Sequence, residues 1–419
     1  NFTDVEDKII KAANETGMTP EEVSKKFIEA FYEDTAALNV KKATLNPTVM
    51  NTMDDIIAFV KELVEKEAAY ESGGDVYFIT EKFKDYGKLS DQSIQDLQVG
   101  ASQRTESADD AKKRNPLDFA LWKSAKPGEI SWDSPWGKGR PGWHIECSVM
   151  ATKHLGDTID IHGGGQDLAF PHHENEIAQS EGCSGQHPAV RYWLHNGFIT
   201  INSEKMSKSL NNFFLVKDIL EQYSPDALRY FLLSTHYRSP LDFSDERLEE
   251  ANKSLERLST AIENLLYLEK CEPGPCDEAQ RLLEKAKEYE EDFEAAMSDD
   301  FNTALATSSM FGLAKEINIY YQAVTGREGV VCQEAIAEVK RIFEFMTEVI
   351  GILEKAWEGN TGANAAEYEE LMQVILSVRQ ACRDQKQWAL ADCIRDRLAE
   401  IGITIEDSPQ GARWKKREV

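Results

Sequence analysis

The chain has 419 residues, 41% apolar and 29% charged, proportions that exclude wholesale disorder and suggest roughly two to four domains. Lys and Arg number 47 against 74 Asp and Glu, and the resulting net charge of −27 excludes non-specific wrapping of nucleic acid and gives no reason to expect attraction to anionic lipid, though it does not exclude local basic patches. No run reaches the ~18 consecutive apolar residues of a membrane span, and no charged-then-apolar leader is present, so neither a membrane protein nor a secreted one is expected.

The chain opens Asn1-Phe2-Thr3-Asp4 without Met, so a natural start upstream is expected. Thr19-Pro20-Glu21-Glu22 joins a capping threonine, a proline at the first helical position and a capping-box glutamate. Val23, Phe27, Ile28 and Phe31 then recur at helical spacing. A second helix runs through Met53, Ile56, Ile57, Val60 and Val64, with Gly73-Gly74 expected to end it before a strand at Val76-Tyr77-Phe78-Ile79. Residues 99–115 are polar and read as an exposed loop. Between 128 and 198 glycine, tryptophan and histidine crowd together, and seven of the eight histidines lie from His144 to His195, which marks where chemistry should be sought. Thr158-Ile159-Asp160-Ile161 predicts a short buried strand, and His162-Gly163-Gly164-Gly165 a tight loop leaving it, where open α/β sheets bind ligands.

After Ser244 the texture is helical. Leu248, Leu255, Leu258, Ile262 and Leu265 step by threes, fours and sevens, and similar stripes at 282–297, 304–320 and 336–357 predict a helical bundle. Residues 358–362 read as a linker to a small mixed unit: helices near 367–383 and 388–400, a strand at 402–406 and the basic tail Arg413-Trp414-Lys415-Lys416-Arg417. The seven cysteines are odd in number and scattered, which points to a reducing compartment and so to the cytoplasm.

His172 and Glu176 are four apart, so on a helix they share a face, and with Cys147 they make a thiolate, imidazole and carboxylate set that suits Zn²⁺. The same residues also read as a satisfied histidine and a small buried cysteine. His173-Glu174 is no metalloprotease signature, because the fifth position is Ile177 rather than His. Lys205-Met206-Ser207-Lys208-Ser209 sets two lysines three apart beside small hydroxyls, a cation clamp for phosphate or a solvated pair on a loop. Gly164 lies in a glycine run that approaches phosphate or merely turns, and Asp167 can accept from a ribose or an amine.

Lys205 to Ser209 matches the second signature of class I aminoacyl-tRNA synthetases letter for letter. The surrounding sequence resembles the cysteinyl-tRNA synthetase family: Arg140-Pro141-Gly142-Trp143-His144-Ile145-Glu146-Cys147-Ser148, Ile161-His162-Gly163-Gly164-Gly165, Phe170-Pro171-His172-His173-Glu174-Asn175-Glu176, and Asp226-Ala227-Leu228-Arg229. Asp299-Asp300-Phe301-Asn302-Thr303 and Asp407-Ser408-Pro409-Gln410-Gly411 extend the likeness to the whole chain.

The resemblance implies an α/β Rossmann-like catalytic domain over 1–198 with a connective insertion at about 20–115. A stem-contact region with the lysine loop at 199–245, an all-α bundle at 246–358 and a small mixed anticodon-binding domain at 365–419 would follow. It implies ATP-dependent activation of L-cysteine to cysteinyl-adenylate and transfer to tRNA(Cys), by a monomer with one Zn²⁺ per chain and Mg²⁺ accompanying ATP. By position, Cys147, His172 and Glu176 are implied as metal ligands, and Thr3, Trp143, His162 and Asp167 as substrate contacts. Lys205 and Lys208 are implied as catalytic lysines, with Lys208, Gly164 and Asp167 at ATP, and Arg383, Trp388, Asp392 and Asp407 as readers of the anticodon. The arginine and lysines of the tail are expected as a basic patch for tRNA, and Trp388 or Trp414 as either a stacking platform or a hydrophobic anchor.

Two departures stand out. The family's fourth metal ligand, a cysteine, and its His-Ile-Gly-His signature do not occur, which implies an incomplete active site in the sequence as it stands. Asn211 replaces a usual glycine of the lysine loop, a tolerable change because Asn adopts positive φ more readily than most residues. Two rival readings are a ligase that passes activated cysteine to an amino sugar, and an inert zinc protein that holds tRNA. The C-terminal unit argues against the first and the intact lysine signature against the second.

Overall fold

The computed structural model describes residues 1–92, 112–126, 129–206, 212–275, 277–326, 330–358, 365–408 and 411–416. Ser207, Lys208, Ser209 and Asn211, most of the expected 99–115 loop and most of the 358–362 linker lie outside them. Two compact units emerge, residues 1–217 with 237–242 and residues 218–236 with 243–419, so the stretch expected as a separate 199–245 region is divided between them.

In the first unit, α1 (Asp7–Thr16) leads to α2 (Pro20–Ala37), which begins on the expected capping box. The Glu22 amide donates to Thr19 Oγ1 at 3.2 Å, and the Thr19 amide donates to Glu22 Oε2 at 2.8 Å. The apolar face is not covered as its spacing predicts, because Val23 is buried while Phe27 and Phe31 are exposed. Phe31 instead meets Phe2 edge-on, ring centroids 5.3 Å apart.

Helix α3 (Met53–Glu65) buries Met53, Ile56, Val60 and Leu63. It stops before Gly73-Gly74, which turns the hairpin between β1 (Ala69–Ser72) and β2 (Asp75–Phe78). Both glycines have positive φ, 61° and 85°, as a two-residue hairpin turn requires. With β3 (Phe119–Ser124) and β4 (Gly139–Pro141) they form an antiparallel sheet that continues past the expected end of the insertion. Its inner face packs Phe78, Leu121 and Trp122 with Ile56 and Leu63 of α3 and with Ile145 and Met150 of α4 (Trp143–Leu155).

A βαβ crossover follows: β5 (Ile159–Gly165), α5 (Glu174–Ser184) and β6 (Val190–Asn196), with β5 and β6 parallel. The three glycines are therefore the end of a strand and not the predicted tight loop, pairing with Leu194, His195 and Asn196. The short strands β7 (Ile199–Ile201), β8 (Glu204–Lys205) and β9 (Leu241–Asp242) close this unit.

The second unit contains α6 (Pro225–Leu233), α7 (Asp245–Leu268), α8 (Asp277–Ser298), α9 (Thr303–Thr325) and α10 (Gln333–Ile350). The predicted bundle stripe is its core, with Leu248, Leu258, Ile262 and Leu265 fully buried. The Asp226-Ala227-Leu228-Arg229 run fastens α6 to the end of α10. Asp226 Oδ2 accepts from the Leu353 amide at 3.0 Å, and Arg229 Nε donates to the Ile350 carbonyl at 2.7 Å. Beside it Gly351 has φ 76°, and a Cβ there would meet Arg229 Nη2 at 2.6 Å.

The strands β10 (Glu272–Pro273) and β11 (Val330–Val331) form a short parallel ladder. Helices α11 (Ala365–Asp384) and α12 (Trp388–Glu400) pack on the hairpin of β12 (Ile403–Ser408) and β13 (Gly411–Lys416), so the expected basic tail is largely a strand. Met372, Leu398 and Ile403 form its small core, with Trp414 packed against them. Cys332 is disulfide-bonded while Cys147, Cys183, Cys271, Cys382 and Cys393 are free, so cysteine content alone does not argue for a uniformly reduced chain. No helix among the described residues is long and apolar enough to cross a membrane.

Candidate active site

The βαβ crossover and α4 bring the metal candidates together. Cys147 sits one turn into α4, while His172 and Glu176 lie on the kinked turn and first turn of α5. The ligand atoms of Cys147, His172 and Glu176 all lie within 4.8 Å of one another, and the same holds for His162, His173 and Glu176. His172 Nε2 stands 3.0 Å from Glu176 Oε1. That oxygen is nevertheless buried without a hydrogen-bond partner among the described residues, so the contact lacks hydrogen-bond alignment. A buried carboxylate oxygen in this position is costly unless a cation satisfies it. A thiolate, an imidazole and a carboxylate converging on one point therefore fit a metal ion, and the donor set fits Zn²⁺. Without an ion, burial first and then Glu176 and Glu146 push the Cys147 thiol above its ordinary value, so binding a metal there must displace a proton.

Histidines that the sequence left unassigned surround the cluster. His144 Nδ1 lies 2.9 Å from His172 Nδ1, and His173 Nδ1 lies 2.8 Å from His195 Nε2. Burial holds His144 and His173 neutral, both pulled down to about 3. In each pair one nitrogen then donates and the other accepts. Trp193 meets His162 and His173 in tilted ring contacts, at centroid distances of 4.8 and 4.9 Å. The crowding of histidines was visible in the sequence; pairing His173 with His195 needed β6 beside β5, and pairing His144 with His172 needed α4 against the start of α5.

Trp143 is half exposed, its ring centroid 4.4 Å from that of His172. His162 Nε2 reaches Glu176 Oε2 at 3.6 Å. Asn1 brings the start of the chain to the cluster, Nδ2 3.7 Å from Cys147 Sγ, with Thr3 two residues on. Lys205 Nζ pairs with Asp167 Oδ2 at 2.9 Å and lies 4.1 Å from the Phe198 ring centroid, so the expected catalytic lysine meets an expected ATP contact. Gly164 is fixed by packing, because a Cβ there would lie 2.8 Å from His173 Cε1. Lys208 lies outside the described residues.

In the second unit Asp407 is clamped by Arg379, through contacts of 2.6 and 2.9 Å, and by Arg383. These hydrogen bonds, Arg379 foremost, hold its carboxyl down at about 2. Arg379, buried and unforeseen in the sequence, is the structural half of this clamp. Asp392 pairs with Arg395 at 3.0 Å. Trp388 is 56% exposed at the start of α12, free to stack, whereas Trp414 serves as the hydrophobic anchor.

A family model described as the class I (C) tRNA synthetase catalytic domain matches residues 1–253, a DALR domain residues 292–354, and a cysteinyl-tRNA ligase anticodon binding domain residues 366–414. The chain is 52% identical over 424 residues to a cysteine–tRNA ligase of Heliobacterium modesticaldum, covering 99% of this chain and 86% of that protein. It is 51% identical over 427 residues to one from Desulforamulus reducens, covering 100% and 87%. Among solved structures, a Mycobacterium tuberculosis methionyl-tRNA synthetase bound by methionyl-adenylate superposes with a TM-score of 0.62 at 16% identity, over 84% of this chain and 83% of that one. That likeness speaks to the fold, a Rossmann-like synthetase architecture.

Proposed function

The chain belongs to the cysteine–tRNA ligase family, aminoacyl-tRNA ligases of class I, and on that premise we propose how its residues divide the work. The reaction runs in two steps: the cysteine carboxylate attacks the α-phosphorus of ATP and displaces pyrophosphate, giving cysteinyl-adenylate, and a ribose hydroxyl of tRNA then loses its proton and attacks the adenylate carbonyl, displacing AMP. Cys147, His172 and Glu176 hold Zn²⁺ in the amino-acid pocket. When bound, the metal supplies a soft site for the substrate thiolate, which rejects serine because a hydroxyl is far harder to deprotonate. Shape alone separates such neighbours only about ten- to a few-hundred-fold. The observation that carries this reading is the buried Glu176 oxygen, close to His172 yet unpaired.

The remaining residues orient and neutralise. His172 needs its Nε2 lone pair for the metal, so its proton sits on Nδ1 and is donated to His144 Nδ1, which fixes the ring. Trp143, His162 and Thr3 line the cysteine pocket. Lys205 and Lys208 stabilise charge developing on the phosphates, together with Mg²⁺ carried by ATP. Lys205 exchanges its Asp167 partner for phosphate, which frees Asp167 for the substrate, and Gly164 lets the strand end approach the nucleotide. In the second unit Arg383, Trp388, Asp392 and Asp407 read the anticodon of tRNA(Cys), with stacking on Trp388 worth about 1–3 kcal/mol. The reading takes the protein to be a cytoplasmic monomer, with the catalytic domain in 1–198, the lysine loop and its catalytic Lys205 and Lys208 in 199–245, the bundle at 246–358 and the anticodon domain at 365–419.

Metal analysis tests the centre. The full-length protein is expected to hold one Zn²⁺, and His172→Ala or Cys147→Ser to lose it and raise the cysteine KM by at least about tenfold. Full zinc retention in both variants would sink the assignment. Lys208→Ala is expected to slow adenylate formation far more than it weakens cysteine binding; equal losses would count against the lysine's role.

A further inference from the structure

Arg413 was expected in a basic patch facing RNA, but its guanidinium is spent inside the protein. Nη1 donates to Asn264 Oδ1 at 3.0 Å and to Tyr321 Oη at 2.9 Å, and Nη2 donates to the Glu263 carbonyl at 3.2 Å. The guanidinium carbon lies 5.2 and 5.5 Å from the ring centroids of Tyr267 and Tyr321, within cation–π range of both. The receiving site is built for it. Asn264 is a buried polar residue on the apolar face of α7, and its amide nitrogen is held by Asn318 Oδ1 at 2.8 Å, which turns its oxygen toward Arg413. Without Arg413, that buried oxygen would lose the hydrogen bond it accepts.

The hairpin explains what the anchor does. Ile405 pairs with Trp414, Glu406 with Arg413 and Asp407 with Ala412. Side chains alternate between faces along a strand. One face therefore carries Ile403, Ile405 and Trp414 into the small core and Asp407 to Arg379 and Arg383, while the other sends Arg413 to the bundle.

We propose that Arg413 is a positioning residue: it fixes the hairpin that carries Asp407, and with it the anticodon-reading set, onto helices α7 and α9. This rests on the anticodon-reading role proposed above.

The test measures binding of cysteine-accepting tRNA against the same transcript with a substituted anticodon, across a salt series. The unsubstituted full-length protein should prefer the first. Arg413→Ala should cut that preference roughly tenfold, the scale of losing charge-assisted hydrogen bonds, and leave cysteine-dependent pyrophosphate exchange unchanged. Arg413→Lys keeps the charge but not the planar fork, and should fail to rescue. Tyr321→Phe, which removes no charge, should move the preference the same way by a smaller factor. The slope of log affinity against log salt should stay constant throughout.

An unchanged preference in Arg413→Ala overturns the proposal. So does a slope shallower by about 0.7–0.9, which would mean that Arg413 touches a phosphate directly. If the unsubstituted protein shows no preference, the anticodon reading falls, and this inference with it.

Discussion

Gly164 carries an argument that its neighbour does not. Both Gly163 and Gly164 sit in β5, so neither is there for unusual backbone angles. A Cβ at Gly164 would lie 2.8 Å from His173 Cε1 and 3.0 Å from Leu168 Cδ1, whereas at Gly163 the nearest atom is the Leu194 carbonyl oxygen at 3.4 Å. Gly164→Ala must push His173 off His195 or bend the strand, overpacking that typically costs about 1–3 kcal/mol. Gly163→Ala is expected to stay within about 0.5 kcal/mol. Denaturant unfolding of both variants checks this, and similar losses at the two positions would show that the His173 contact is not the cause. A higher cysteine KM should accompany the first change only, since His173 packs against His162 with ring centroids 4.9 Å apart.

At the scale of elements, the β12–β13 hairpin shows how an ion pair shapes acid behaviour. Asp407 has a folded pKa of about 2, below its unfolded value of about 3.9. Its contribution is therefore fully present above about pH 4 and is lost as pH falls through about 2. Asp407 is 41% exposed, so solvent screens the pair and the contribution is modest. Asp407→Asn should weaken amide-exchange protection of the hairpin by a constant factor between pH 5 and 7, with the gap to the unsubstituted chain closing toward pH 2. A gap that persists undiminished at pH 2 would assign the effect to something other than the ionised carboxylate.

The elements themselves divide by what a sequence pattern encodes. The capping box at Thr19 and Glu22 and the bundle stripe from Leu248 to Leu265 were legible because each is a local or periodic constraint. Phe27 and Phe31 satisfy the same periodicity yet stay exposed, because period identifies an apolar face and not what covers it. Glycine misled twice. Gly73-Gly74 turns a hairpin instead of ending a helix, and Gly163 to Gly165 continue a strand instead of leaving one. Permissive dihedrals and tolerance of close approach look alike in a sequence. The metal candidates Cys147, His172 and Glu176 were legible as residue types, the last two at a helical spacing, and the structure sets their ligand atoms within 4.8 Å of one another, but the His144–His172 and His173–His195 pairs and the Arg379 clamp arise only from tertiary placement.

For the whole molecule the governing quantity is charge. A chain of net charge −27 that binds tRNA must do so against its own field, and several of its basic side chains are already spent: Arg413 on the bundle, Arg379 and Arg383 on Asp407, Lys205 on Asp167. Each phosphate contact to a base-paired region should add about −0.9, and to a single strand about −0.7, to the slope of log affinity against log salt. The general repulsion acts the other way and over longer range as salt is lowered, the Debye length growing from about 10 Å at 0.1 M to 30 Å at 0.01 M. Between about 0.1 and 0.5 M the repulsion is screened, and the plot should be linear with a slope that counts contacts. Below about 0.05 M it should flatten, as each further loss of screening strengthens repulsion along with attraction. A series of equilibrium binding measurements from 0.02 to 0.5 M salt, on the scale set by those screening lengths, decides the matter. A line that steepens or stays straight to the lowest salt would mean that the acidic surface faces away from the RNA path and that its field is not felt there.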